Sequence, residues 1–298
     1  MKWLIFGRKV IALFFFVLLL LAFIGIPALI PSNKFIYVIT NFQFVPSIIS
    51  YLNNTKELLI LIALIILLFH IGRFYCSSVC PLGTLQDIIS KIGISIRKKN
   101  KYHYKKPNNI LRYSFFILVI LSLIFGIANF LIWLDPYSNF GKIVSNLFRP
   151  IAIVINNSIL NVAEKAGIDF IIPINYHNIT YSGLIFSSIL LIVLIIMAAF
   201  RGRLFCNTIC PVGTFFSILS RFSIYKIQIV KSVCSMCGRC SSVCKSECID
   251  IKNQKIDFDR CVVCLNCINT CPEKGIKFVS MVKLAKLKYQ SKKERKFD

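Results

Sequence analysis

Eight of the chain's thirteen cysteines fall in two runs of identical spacing. Cys234, Cys237, Cys240 and Cys244 read C-x-x-C-x-x-C-x-x-x-C, and Cys261, Cys264, Cys267 and Cys271 repeat the run 27 residues later, closed by Pro272. Thiolates this close together can occupy three corners of one iron–sulfur cubane, while the fourth cysteine of each run reaches the neighbouring cubane. The crossing predicts one 4Fe-4S cluster on Cys234, Cys237, Cys240 and Cys271, and a second on Cys261, Cys264, Cys267 and Cys244. Zinc ribbons instead use two C-x-x-C pairs joined by a linker, which disfavours zinc. The first run has Lys245 where the second has Pro272, and Cys248 follows close behind. Spacing favours Cys244 as the ligand, leaving Cys248 as a buried thiol; the other reading has Cys248 replace it. The charge of Lys245 would raise the potential of a neighbouring cluster.

Four further cysteines belong to a second duplication. Gly72-Arg73-Phe74-Tyr75-Cys76 leads to Cys80-Pro81, and Gly202-Arg203-Leu204-Phe205-Cys206 leads to Cys210-Pro211, at a constant offset of 130 residues. Cys76, Cys80, Cys206 and Cys210 have three readings: a shared metal or cluster, redox-active thiol pairs, or buried packing. Pro81 and Pro211 suit helix starts, where the helix N-terminus stabilises a thiolate. Leu85, Ile88, Ile89 and Ile92 then form a helical stripe, as do Phe215, Phe216, Leu219 and Phe222. Arg73 and Arg203 could anchor headgroups, stabilise thiolates or serve only as positive topological markers.

These motifs sit in a chain that expects lipid. Of its 298 residues 56% are hydrophobic, well above the usual globular share. Uncharged runs at 10–30, 113–134 and 181–200, with a shorter one at 55–75, read as four transmembrane helices, each near the ~20 residues needed. The first run is longer than a signal-peptide core and lacks a clear cleavage site.

A net charge of +24 admits nucleic acid, an anionic membrane or an acidic redox partner. Its placement decides: only five of 36 Lys and Arg residues fall in the loops after the first and third spans. The positive-inside rule then puts both termini and all thirteen cysteines on the cytoplasmic side, where thiols stay reduced. Nucleic acid is not required, and no recognition motif for it is present.

Residues 1–225 thus form an all-α membrane domain of two parallel hairpin repeats, related by an axis along the membrane normal. Residues 226–282 form an α+β, two-cluster ferredoxin-like domain, with short strands expected at 226–231, 248–251, 255–257 and 275–279 and a turn at Asn253-Gln254. Residues 283–298 are a basic tail, more in keeping with a solvated or lipid-facing segment than a docking site. The loop from Asp135 to Thr180 is expected outside, with a surface helix through Ile143, Leu147, Ile151 and Ile155, and Trp133 in the aromatic belt. His70, near the end of the second span, is a polar interfacial residue or a quinone contact; His103 and His177 carry no signal.

The paired C-x-x-x-C-P motifs followed by two ferredoxin runs resemble the NapH-type membrane ferredoxins, across residues 10–279. The core is also similar to NosR-type and CcoG-type proteins. No large domain precedes the first helix and none follows residue 279, which favours the NapH type. The resemblance implies a bacterial inner-membrane protein passing electrons between the quinone pool, the clusters and a partner reductase. A second role is an assembly factor that reduces or delivers a metal, such as copper, to a respiratory enzyme.

Overall fold

The computed structural model describes residues 2–26, 32–53, 58–97, 102–127, 129–165 and 180–280. Helix α1 (Lys2–Ile24) begins eight residues before the expected span. Two short helices follow, α2 (Asn33–Asn41) and α3 (Phe44–Asn53). Helix α4 (Leu58–Ile71) leads into the first C-x-x-x-C-P segment, where α5 (Phe74–Ser78) and α6 (Pro81–Arg97) flank Cys80.

The expected third span, 113–134, is not one helix. Helix α7 (Asn109–Ile124) stops at a Schellman turn: Gly126 has φ +74°, the Ile127 N–H donates to the Ser122 carbonyl at 2.8 Å, and the Gly126 N–H to that of Leu123 at 3.0 Å. The turn satisfies carbonyls at the helix end while the apolar run continues, so hydropathy alone passes over it.

Helix α8 (Asn129–Leu134) then leads to Asp135, whose carboxylate accepts from the Ser138 N–H at 2.7 Å and caps α9 (Pro136–Ile143). A π-turn (Val144–Phe148) carries α9 into α10 (Arg149–Lys165). The expected surface helix is therefore part of a long one whose first half is core. Phe140, Ile143 and Val144 are buried, and Phe140 packs on Phe16 and Phe23 of α1. The apolar residues at 140, 143, 144 and 147 recur at helical spacing and place that stripe inward.

Helix α11 (Tyr181–Arg201) leads to the second C-x-x-x-C-P segment, built from α12 (Leu204–Thr208) and α13 (Pro211–Ser220). Ile185, Ile189, Ile192 and Ile196 expose one face of α11, as a lipid-facing helix requires. Three helices, Trp3–Ile24, Pro136–Leu160 and Tyr181–Arg201, are long and apolar enough to cross a membrane. Helices α4 and α7 are apolar but shorter, with 14 and 16 described residues.

The region between the first two expected spans also differs from a plain outer loop. Between α2 and α3, Gln43 donates to the Val79 carbonyl at 3.2 Å and accepts from the Tyr75 hydroxyl at 2.9 Å. Phe44 of α3 meets Phe215 and Phe216 of α13. A polar Gln-Phe turn thus reaches both cysteine-bearing segments.

The cysteine-rich part pairs strand β1 (Tyr225–Ile229) antiparallel with β4 (Ile276–Ser280). Between them lie α14 (Arg239–Ser242), the hairpin of β2 (Ile249–Asp250) with β3 (Lys255–Ile256), and α15 (Asn266–Thr270). Gln254 turns that hairpin with φ +48°.

Candidate cysteine centres

The backbone of the two cysteine runs repeats in detail. Residues with positive φ recur at the 27-residue offset: Met236 and Val263, Gly238 and Leu265, Glu247 and Lys274. For a β-branched residue such as Val263, φ +50° costs on the order of 1–3 kcal/mol. The same bend in both runs aims each set of thiols at one space. One cavity is lined by Cys234, Cys237, Cys240 and Cys271. The other is lined by Cys244, Cys248, Cys261, Cys264 and Cys267. These are the groupings of the crossing rule, with Cys248 added to the second.

Each cavity has at least the four thiols and the apolar walls that suit a cubane. Among the described residues, no three Cys, His, Asp or Glu side chains gather closely enough to hold a single metal ion. A cubane spreads its ligands over separate iron corners, whereas zinc draws four sulfurs to ~2.3 Å from one point.

Burial raises the Cys264 and Cys267 thiols and takes Cys240 up to about 11, so metal binding must displace protons there. Cys237, at the surface, is lowered by the Arg239 backbone N–H. The sulfurs of Cys244 and Cys248 lie 3.4 Å apart. The contact lowers Cys244 and raises Cys248. Both sulfurs line the same cavity.

The two centres are placed unequally. Cys264 packs against the helical core. Around it, the Lys245 carbonyl accepts from the Arg203 N–H at 2.9 Å, Glu247 pairs with Arg201 at 2.9 Å, and the Asp259 carbonyl accepts from Arg73 at 2.9 Å. The other centre opens outward at Cys237.

In the helical part, Cys76, Cys80, Cys206 and Cys210 are 4, 3, 3 and 2% exposed, and lie close enough to act on one another electrostatically. Gln86 donates to the Cys206 sulfur at 3.3 Å, and the Gly213 N–H to that of Cys210 at 3.2 Å. Arg73 and Arg203 are both fully buried. Arg73 reaches across to the Cys206 carbonyl and to Asn207, while Arg203 reaches the Cys76 carbonyl and pairs with Asp87 at 2.8 Å. The arginines therefore bind cysteine loops rather than headgroups.

Gln43 and Asp135, both buried, and the half-buried Asp87 are polar groups near this centre that the motifs did not indicate. Only Asp135-Pro136 carried a local signal, a cap residue before a first-turn proline. His70 is exposed, with Nδ1 at 2.9 Å from the Ile66 carbonyl, and His103 is exposed. His177 and the tail 283–298 lie outside the described residues.

The profile of the 4Fe-4S binding domain family matches residues 57–101 and again 184–228. Two segments of the chain are thus similar to that iron–sulfur family. The matched segments carry Cys76 with Cys80 and Cys206 with Cys210, so the family's description attaches to the duplicated helical motif. An uncharacterized protein of Methanocaldococcus jannaschii is 23% identical over 74% of this chain and 70% of its own length. The putative electron transport protein YccM of Escherichia coli is 24% identical over 74% of this chain, and the match spans 54% of YccM. The methylamine utilization ferredoxin-type protein MauN of Paracoccus denitrificans is 25% identical over 61% of this chain and 52% of its own length. No solved structure matches the chain.

Proposed function

We propose that this chain is a NapH-like membrane electron-transfer protein that links the quinone pool, two 4Fe-4S clusters and a partner reductase. One cluster is held by Cys234, Cys237, Cys240 and Cys271, and the other by Cys261, Cys264, Cys267 and Cys244. The observation that carries this reading is the sorting of nine cysteines into two cavities, four in one and five in the other, Cys248 being the fifth. The relatives named as electron transport and ferredoxin-type proteins support it. Helices α1, α4, α7 and α11 serve as the four crossings of two parallel repeats in a bacterial inner membrane, with both termini cytoplasmic.

Cys76, Cys80, Cys206 and Cys210 hold a further iron–sulfur centre in this reading, because each pair lies in a segment matched by the 4Fe-4S family. That centre faces the cluster at Cys264 across the interface built by Lys245 and Arg203. The alternative, reduction or delivery of copper for enzyme assembly, needs thiols that a metal carrier can reach. At 4% exposure or less these four are closed to such exchange.

Anaerobic purification with iron and sulfide analysis tests the reading. The two ferredoxin runs require about eight irons, and a cubane between the repeats raises that to about twelve. Added quinol should reduce the clusters, as followed by low-temperature EPR. Protein that holds zinc and no iron would sink the proposal.

A further inference from the structure

We propose that the face around the Cys234–Cys237–Cys240–Cys271 cavity docks a small, acidic, soluble electron-carrier protein. The inference rests on the reading that this cavity holds a 4Fe-4S cluster. It adds the class of partner and the place where that partner binds.

Exposure is the first argument. Around the other cavity, Cys244, Cys261 and Cys267 are buried, and Cys264 packs on the helices. Here Cys237 is exposed, Met236 is 57% exposed and Val233 43%. The hydrogen bonds and ion pairs that tie this part to the helices use residues 224–226, 242–247 and 257–260. Cys237 lies outside those segments, so a soluble partner can approach it.

Charge is the second. Lys231, Arg239, Lys252 and Lys274 are all exposed, and each lies within three residues of a residue lining the cavity. Among the described residues none of the four is in an ion pair, and Glu273 is the one carboxylate in the cavity lining. Glu247, Asp257 and Asp259 are paired with Arg201, Arg260 and Arg221, so Glu273 and Asp250, the latter hydrogen-bonded to the neutral Asn253, are the two carboxylates set against these four cations. The positive-inside rule accounts for basic residues beside the spans. It does not account for a basic ring around the cysteine centre that faces away from the helices. Apolar Met236 and Val233 inside a cationic ring have the anatomy of a transient electrostatic interface.

In the encounter the reduced carrier loses one electron and the cluster gains it; no bond breaks and no proton moves. The ring steers an acidic partner, and the exposed Cys237 edge shortens the transfer.

The test uses the full chain in detergent, with reduction followed by stopped-flow. The probe is a pre-reduced acidic plant-type two-iron ferredoxin, with the reduced methyl viologen cation, a donor of similarly low potential, as the control. The rate with the acidic donor should fall about tenfold or more from low to high salt, and that with the cation should not. Lys231→Glu with Lys252→Glu should give a similar loss at low salt while iron content and reduction by dithionite stay unchanged. A rate indifferent to salt and to charge reversal would overturn the docking site. So would a variant that keeps its carrier rate and loses only binding to phosphatidylglycerol vesicles, which would assign the ring to lipid. Absence of iron from the parent chain would instead remove the cluster reading beneath it.

Discussion

Arg73 donates from Nη2 to the backbone carbonyl of Cys206 at 3.0 Å. Arg203 makes the corresponding bond to Cys76. Each copy of the duplicated motif thus supplies the cation that holds the other copy's cysteine loop. The geometry needs close backbone approach, and glycine provides it. A Cβ at Gly83 would run into the Cys76 carbonyl, and one at Gly213 into that of Cys206. Neither copy is complete alone.

Arg203→Ala should be among the most damaging single changes in the helical part. It frees the Cys76 carbonyl and removes a buried partner of Asp87, which then has only Lys245 at 3.0 Å. Breaking a buried pair costs about 3–5 kcal/mol. Thermal unfolding in detergent should show it, and Arg203→Lys should recover only part because an ammonium lacks the planar fork. Equal stability of the Ala variant and the parent would refute the exchange as a structural element.

Gly213→Ala tests the same junction without altering charge. The added methyl should cost about 1–3 kcal/mol through overpacking, and Gly83→Ala should match it if the repeats are equivalent. Limited proteolysis compares the two variants directly. A marked difference between them would mean that the two-fold relationship is only approximate at this site.

Cys248→Ala should leave both clusters in place. It removes the Cys248 sulfur, which lies 3.4 Å from that of Cys244 and is the S–H donor when Cys244 ligates as a thiolate. Hydrogen bonds to ligand sulfur favour the reduced cluster, so the potential of the cluster beside the helices should fall. Redox titration with EPR detection reads the shift. An iron content lower by about four atoms would make Cys248 a ligand instead.

Cys237→Ser and Cys264→Ser should separate the two centres. Each should lower iron by about four atoms. Cys237 is exposed and Cys264 packs on the helical core, so only the second change should also make the interface around Lys245 more open to protease. Equal protease sensitivity would contradict the unequal placement of the clusters.

Acid should loosen that interface through Asp87. Burial pushes its carboxyl up, but Arg203 and then Lys245 push it down further, to about 2 from the ordinary 3.8. A folded-state value below the unfolded one means that the carboxylate stabilises the fold above about pH 4. That contribution, roughly 2 kcal/mol, is lost as pH falls through 3.8 toward 2. Asp87→Asn should flatten this part of the stability–pH curve. An unchanged slope would assign the acid sensitivity to other carboxylates.

The cysteine runs were legible because their chemistry is local. Three ligands of each cubane lie within seven residues, and the 27-residue repeat of the runs reappears as a repeat of positive φ. The strands beside them were legible for the same reason, as β-prone runs bounded by turn residues. Helix continuity was not. An uncharged stretch from Tyr113 to Leu134 reads as one span, yet the Gly126 turn divides it at no cost in hydropathy. The helix through 143, 147, 151 and 155 was visible, but periodicity does not say whether an apolar face meets lipid surface or protein core.

The duplication at an offset of 130 residues marked Arg73, Cys76, Arg203 and Cys206 as equivalents and left open what each would touch. That was decided by tertiary structure, through hydrogen bonds between residues more than 120 positions apart. Ligand spacing is written along the chain because a cubane takes three of its four thiols from one short loop. The partner of a buried arginine is set only when distant segments pack, since its desolvated charge must find whichever carbonyl or carboxylate the fold brings within reach.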